Sequence, residues 1–438
     1  MRPSMLLYLV LSPATALGAL PAVPPSHPAV DAPELAHLGP YAVGIRTVTL
    51  VQRDQPDLLA PDAQQGEAAR RDRLLSVDIW YPARTRRGAV AESYRASLES
   101  EKPGSYATFS IPALAVRAAR PAGGNYPLVL VSHGRRNATV TLSWLTENLA
   151  SKGYVVAAIR HQDPSDASPF RIVQPLLRRP LDIGFVAARL QGSLAAEGLV
   201  DPARTALIGY SMGGFGVLAA AGATIDPAAA KFVPGDLLLP YARGGASRET
   251  MLVRNLKAVI AIAPVGGGPP YAWGPDGIAD ITAPLLLIAG DRDHTVDYAR
   301  GARAFFEGAT GTRRYLLTFK GAGHYIGLNN APEAMRQQLW DLSWFEDPVW
   351  RKERIIGISL HMITAFLDRY VKGDETRAAY LDGLVPDAAS GQWPATEAGS
   401  LDAYSAGANG VTVWKGFQRN YAEGLELLQS DAEPRAPK

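Results

Sequence analysis

The sequence predicts an α/β protein with a mainly parallel central sheet and helices on both faces. Three observations carry this. First, apolar runs of strand length at 126–132, 154–159, 205–208, 256–263, 284–289 and 314–319 alternate with segments of helical periodicity at 142–152, 180–197, 212–223, about 298–307 and 356–370. Near-continuous apolar strands separated by helices are what a parallel sheet covered on both sides requires. Second, Thr205-Ala206-Leu207-Ile208 runs directly into Gly209-Tyr210-Ser211-Met212-Gly213, a glycine-flanked strand-to-helix turn. Third, two later strands end in glycine turns that carry carboxylates and a histidine: Gly290-Asp291-Arg292-Asp293 and Gly321-Ala322-Gly323-His324.

Taken in order, residues 1–18 read as a signal peptide. Arg2 supplies a short positive start, Met5-Leu6-Leu7-Tyr8-Leu9-Val10-Leu11 an apolar core, and Ala14-Thr15-Ala16 or Ala16-Leu17-Gly18 a small-residue cleavage site. This predicts a secreted or periplasmic protein. Residues 19–38, with Pro21, Pro24, Pro25, Pro28 and Pro33, read as a flexible Pro-rich spacer, and 39–373 as the main domain. Within it, 42–52 and 74–81 alternate apolar and polar residues and predict two strands, with a charged surface loop at 64–73. Residues 161–177 predict a polar loop. Pro180 suits the first turn of the helix that follows, and Gly198 its end. Residues 224–254 break the alternation with prolines, glycines and Leu237-Leu238-Leu239, and read as a cap over the site. Residues 325–354, with Trp340, Trp344, Phe345 and Trp350, read as an aromatic-rich insertion. Residues 374–438 form a C-terminal extension, whose segment 411–428 is predicted to fold back onto the domain.

Composition narrows the chemistry. A length of 438 residues allows two domains, or one with insertions, around a large core. The net charge of +2, without a basic stripe, gives no case for a nucleic-acid partner. No stretch of the sequence after the N-terminus offers the ~20 apolar residues of a membrane span. With no cysteine, disulfides, zinc–thiolate sites and cysteine nucleophiles are excluded. Oligomeric state is not legible.

The turn at Ser211 lifts one hydroxyl out of the sheet at a helix N-terminus, where backbone N–H groups can stabilise an oxyanion. A free hydroxyl is a poor nucleophile at neutral pH. It needs an imidazole to take its proton and a carboxylate to hold the imidazole's tautomer. His324 supplies the first. For the second, Asp293 lies further past its strand end and can curl toward His324, whereas Asp291 is placed to cap the turn. Asp297 reads as a helix N-cap before Tyr298.

These motifs, together with Ser132-His133-Gly134, resemble those of α/β-hydrolases, whose chain order is serine, acid, histidine. More narrowly, Gly39-Pro40-Tyr41-Ala42-Val43-Gly44, Val77-Asp78-Ile79-Trp80-Tyr81-Pro82, Arg179-Pro180-Leu181-Asp182, Ala365-Phe366-Leu367 and Trp414-Lys415-Gly416-Phe417 resemble secreted dienelactone-hydrolase-like and platelet-activating-factor-acetylhydrolase-like serine esterases, over about residues 39–428. The resemblance implies Ser211 as nucleophile, Asp293 as acid and His324 as base, with the backbone N–H groups of Met212 and Arg135 as the oxyanion hole. It implies a small-molecule or lipid ester as substrate, with neither cofactor nor metal. Serine stands where dienelactone hydrolases carry cysteine, which favours ordinary carboxylic esters. Phospholipid acetyl esters, polyesters, aromatic esters and peptides are the alternatives within enzymes. A non-catalytic binding protein on the same scaffold is the alternative outside them.

The remaining charged residues admit two readings. His133 suits a structural role in its turn, His294 points outward, and His361 falls within the last helix. His161 either lines the site or sits in a surface loop; with Asp163 and Asp166 it offers too few ligands for a metal. Arg135, Arg136, Arg160, Arg178, Arg179 and Arg292 lie near the carboxyl ends of strands, where such sheets bind ligands. They form either a cationic rim or structural pairs with Asp163, Asp166 and Asp182.

Overall fold

The structure is a computed structural model, and it describes residues 23–57, 70–86, 88–99, 104–336, 344–393 and 410–434. The signal-peptide reading of 1–18, and Trp340 of the aromatic insertion, lie outside the described residues. The strands are β1 (Ala42–Pro56), β2 (Arg70–Arg84), β3 (Tyr94–Glu99), β4 (Tyr106–Ile111), β5 (Val116–Arg117), β6 (Arg120–Pro121), β7 (Tyr126–Ser132), β8 (Val155–Arg160), β9 (Val200–Tyr210), β10 (Leu256–Ile262), β11 (Leu285–Gly290), β12 (Arg314–Phe319) and β13 (Leu425–Ser430). The helices are α1 (Ser143–Ser151), α2 (Val173–Ala196), α3 (Met212–Ala220), α7 (Lys352–Tyr370) and the short α4 (Pro227–Ala230), α5 (Ala304–Gly308) and α6 (Glu333–Arg336).

The main sheet runs β13-β12-β11-β10-β9-β7-β8-β2-β1-β5, with β6 on β2, while β3 and β4 form a separate hairpin. From β8 to β12 every pairing is parallel. Strands β1, β2 and β13 pair antiparallel at the two sides. This is the mainly parallel sheet that the apolar runs predict. The two-residue period of a strand explains the layers. In β7, Leu128 and Leu130 pack into the layer built with α2, α3 and the 224–254 segment. Val129 and Val131 pack into the opposite layer with α1 and α7. All four are buried, so a polar residue has no face to occupy.

Several boundaries differ from expectation. Helix α2 begins at Val173, so the predicted loop ends earlier and Pro180 lies inside the helix. Proline removes one N–H there. Leu177, Leu181, Leu190 and Leu194 are all buried in one core layer, and that burial carries the helix through. The segment near 298–307 is not one helix but a π-turn followed by α5, broken at Gly301. Helix α7 starts at Lys352, before the predicted Ile356. Of the predicted loop 64–73, residues 70–73 belong to β2. The segment 411–428 does fold back: β13 extends the sheet beside β12.

The spacer reading of 19–38 needs correction for residues 23–38, which are pinned to the domain. Ser26 Oγ donates to Glu147 Oε2 at 2.6 Å. Leu35 N–H donates to His361 Nδ1 at 3.1 Å, and Lys152 Nζ to the Leu35 carbonyl at 2.5 Å. Proline here shapes a strap of turns and one short 3-10 helix, Glu34–Ala36, since it stiffens a chain as readily as it breaks a helix. Glu147 is the anchor. Burial raises its pKa, opposed by donors from Ser26, Tyr94, Leu114 and Ala115. Ser26→Ala removes one of these donors from a buried carboxylate and is expected to cost about 1–3 kcal/mol in urea unfolding. An unchanged midpoint would show that the strap contributes nothing there.

Candidate active site

Strand β9 delivers Ser211 to the carboxyl edge of the sheet. Ser211 itself takes the strained conformation, φ +54° and ψ −117°, at a cost of about 1–3 kcal/mol for a non-glycine residue. Three backbone hydrogen bonds hold it: Ser211 N–H to Ile262 O at 2.9 Å, Val265 N–H to Ser211 O at 3.2 Å, and Phe215 N–H to Ser211 O at 3.3 Å. The flanking glycines serve close approach rather than positive φ. A Cβ on Gly209 would sit 2.2 Å from the Gly213 carbonyl oxygen, and one on Gly213 would sit 2.0 Å from the Ser132 carbonyl oxygen.

The three predicted side chains meet. His324 Nε2 lies 3.0 Å from Ser211 Oγ, and His324 Nδ1 lies 2.7 Å from Asp293 Oδ2. The other oxygen of Asp293 accepts from Thr295 N–H at 2.9 Å and Val296 N–H at 3.1 Å. Those bonds fix the carboxylate, so its hydrogen bond assigns the imidazole proton to Nδ1 and leaves Nε2 free to accept from the hydroxyl. Asp291 Oδ1 accepts from Gly321 N–H at 2.6 Å, which is the turn-capping role. Asp297 Oδ1 accepts from Arg300 N–H at 3.1 Å, capping the π-turn.

The cavity above Ser211 has a volume of about 630 Å³. Met212, the first residue of α3, and Arg135, just after the His133-Gly134 turn, both line it. Residues 224–254 supply Ile225, Ala229, Phe232 and Leu238 as an apolar wall, and Tyr325 and Trp344 face in from the aromatic insertion. Sequence reasoning missed the part of the wall formed by Val265–Pro270 after β10 and by Ile172 and Leu176. The signal was available in principle, since loops beyond strand ends carry ligand contacts. His294 is exposed and sits on the rim.

The arginines divide. Arg160 pairs with Asp78, Arg178 with Asp182, and Arg179 with Asp163, so these three serve structure. Arg135 and Arg136 line the cavity and both engage Asp166. The Arg136 guanidinium also stacks 4.1 Å above the Trp344 ring. His133 and His161 are enclosed. Burial, with Arg179 adding to it, pushes His133 down to about 3 and His161 down to about 4. Both are neutral near pH 7. His161 Nδ1 lies 3.0 Å from Asp182 Oδ2 and its Nε2 2.9 Å from Ser132 Oγ. The side chains of this second serine–histidine–aspartate array are buried, and His161 borders not the cavity above Ser211 but a smaller one of about 120 Å³ beside it. Among the described residues no group of three or more carboxylates and histidines could hold a metal, and no helix is long and apolar enough to cross a membrane.

Known proteins bear on this geometry. The PETase family, described as PET hydrolase-like, matches residues 116–237. Over 217 residues the chain is 25% identical to cutinase est2 of Thermobifida alba, covering 49% of this chain and 58% of that protein. Cutinase est1 of the same organism is also 25% identical over 217 residues, covering 49% and 59%. The chain thus spans somewhat over half the length of these curated relatives. A solved structure of a ferulic acid esterase from Streptomyces cinnamoneus superposes with a TM-score of 0.52 at 22% identity, covering 76% of this chain and 91% of that one. Topology, motif order and these likenesses together show the α/β-hydrolase fold.

The hydrogen bonds predict which hydroxyl attacks an electrophile. A fluorophosphonate should modify Ser211, as peptide mapping would reveal. Asp293→Asn should slow that labelling by about four powers of ten, because the wrong imidazole tautomer is then favoured. Asp291→Asn should leave it nearly unchanged. If Asp291→Asn were the more damaging, the acid would have to be reassigned.

Proposed function

We propose that the protein is a serine hydrolase of carboxylic esters. The observation that supports this most is the hydrogen-bonded series Ser211–His324–Asp293 at the foot of an open cavity lined by both apolar and polar residues. In this reading Ser211 Oγ attacks the ester carbonyl while His324 Nε2 takes the hydroxyl proton. The oxyanion is stabilised by the N–H groups of Met212 and Arg135. As the C–O bond breaks, the imidazolium returns its proton to the departing alcohol. Water, deprotonated by His324, then attacks the acyl-enzyme and releases the acid. Asp293 holds the imidazole and stabilises its charged form without taking the proton itself. No step requires a cofactor or metal.

Among substrates, the polyester or aromatic-ester alternative gains support from the PET hydrolase-like match and the cutinase and ferulic acid esterase likenesses. The cavity wall suits it, because Phe232, Tyr325 and Trp344 bring aromatic side chains to its lining. The dienelactone-hydrolase-like and acetylhydrolase-like resemblance rests on sequence motifs alone. Export is likewise a reading of the N-terminal residues. N-terminal sequencing of an extracellular or periplasmic fraction should find a chain beginning between Thr15 and Pro21, and an intact Met1 in the cytoplasm would count against it.

Ser211→Ala should lower hydrolysis of nitrophenyl esters by about four to six powers of ten while the protein stays folded. Near-normal turnover by the folded variant would refute the assignment. A wild-type protein that binds aromatic esters without turnover would favour the non-catalytic binding alternative.

A further inference from the structure

Helix α2 brings a guanidinium to the back of the turn that follows β7. Arg179 is fully buried. Its Nη1 donates to the His133 carbonyl and, at 3.3 Å, to Ser132 Oγ; its Nη2 donates to the Gly134 carbonyl at 3.2 Å. The guanidinium is neutralised by Asp163, through Nε at 3.2 Å and through Nη2. Asn137 Nδ2 donates to the next carbonyl, Arg135 O, at 3.1 Å. Three successive carbonyls of the turn are therefore held by side-chain donors. In a trans peptide the C=O and N–H point in opposite directions. With the Gly134 carbonyl held by Arg179 and, at 2.7 Å, by His133 Nδ1, the Arg135 N–H points opposite to that carbonyl, away from the buried guanidinium.

Two further contacts tie this turn to the nucleophile. A Cβ on Gly216 of α3 would lie 3.0 Å from Arg179 Cβ, so the helix carrying Met212 packs against α2 at this residue. One turn further along α2, Asp182 holds His161, which holds Ser132 at the end of β7. We infer that Arg179 is a positioning residue of the oxyanion hole, setting the peptide between Gly134 and Arg135 relative to the N-terminus of α3. The inference rests on the ester-hydrolase reading. A planar fork of five donors reaches two carbonyls and a carboxylate at once, which the single ammonium of lysine does not reproduce.

The test uses the full chain with Arg179→Lys, and with the double variant Arg179→Gln/Asp163→Asn, which leaves no uncompensated buried carboxylate if the first fails to fold. Ester kinetics would be measured beside the affinity of an aryl boronic acid, which forms a tetrahedral adduct on the serine. Affinity for the carboxylic acid product reports the ground state. Loss of an oxyanion donor's alignment should lower kcat about 10²- to 10³-fold and weaken the boronate in step. KM and product affinity should stay within about threefold. The pH profile should keep its limbs, since His324 and Asp293 are untouched. A folded variant with wild-type kcat and boronate affinity would overturn the inference, as would equal losses in boronate and product binding. A wild-type protein that neither hydrolyses esters nor binds the boronate would instead overturn the hydrolase reading, and this inference with it.

Discussion

Gly213 has no room for a side chain, because a Cβ there would sit 2.0 Å from the carbonyl oxygen of Ser132. That contact joins the turn after β9 to the turn after β7, and the geometry of the candidate site follows from it. Adjacent parallel strands end at the same edge, so their following turns compete for one space. Glycine at 209 and 213 lets them interlock. The strain then falls on Ser211, whose positive φ is imposed by the bonds to Ile262 and Val265 of the next strand and loop. The Ser211 hydroxyl is left near the surface of a cavity, with the start of α3 on one side and the His133-Gly134-Arg135 turn on the other.

The same edge concentrates charge, and the structure neutralises most of it internally. Asp182 would be driven up by burial, yet Arg73, the hydrogen bond from His161 and Arg178 hold it well below the usual carboxylate range. Asp163 is buried too, and Arg179 outweighs that burial to hold it low. A buried charge left alone costs several kcal/mol, so these groups must come as sets. A sequence shows only arginines clustered near strand ends. For Arg178 and Arg179, the ion pairs with Asp182 and Asp163 depend on both lying inside α2, and so on where α2 begins.

This locates the limit of what the sequence made legible. The sheet, the meeting of Ser211 with His324 and Asp293, and the turn-capping place of Asp291 follow from local pattern: apolar period, glycine turns and distance past a strand end. The start of α2 did not follow, because Pro180 is a favourable first-turn residue and local chemistry alone places the helix start there. Burial of Leu177 with Leu181, Leu190 and Leu194 decides otherwise. The ordered strap at 23–38 was illegible for a related reason. Its partners, Glu147, His361 and Gly416, are remote in the chain, and proline content reads the same in a strap as in a free linker.

The two serine–histidine–aspartate arrays show why the residues alone do not settle a function. Ser132–His161–Asp182 and Ser211–His324–Asp293 have nearly the same hydrogen-bond lengths. What differs is access. Ser132 is 1% exposed and accepts a further bond from Arg179, whereas Ser211 is 9% exposed and opens on the cavity. An enclosed array can only fix backbone, since no carbonyl carbon can approach the hydroxyl. An open one can be attacked through, provided that its oxyanion donors are already aligned when the substrate arrives. The buried array lies behind the turn that supplies one of those proposed donors. One constellation thus serves rigidity and the other reactivity, and the rigidity of the first is what the second would require.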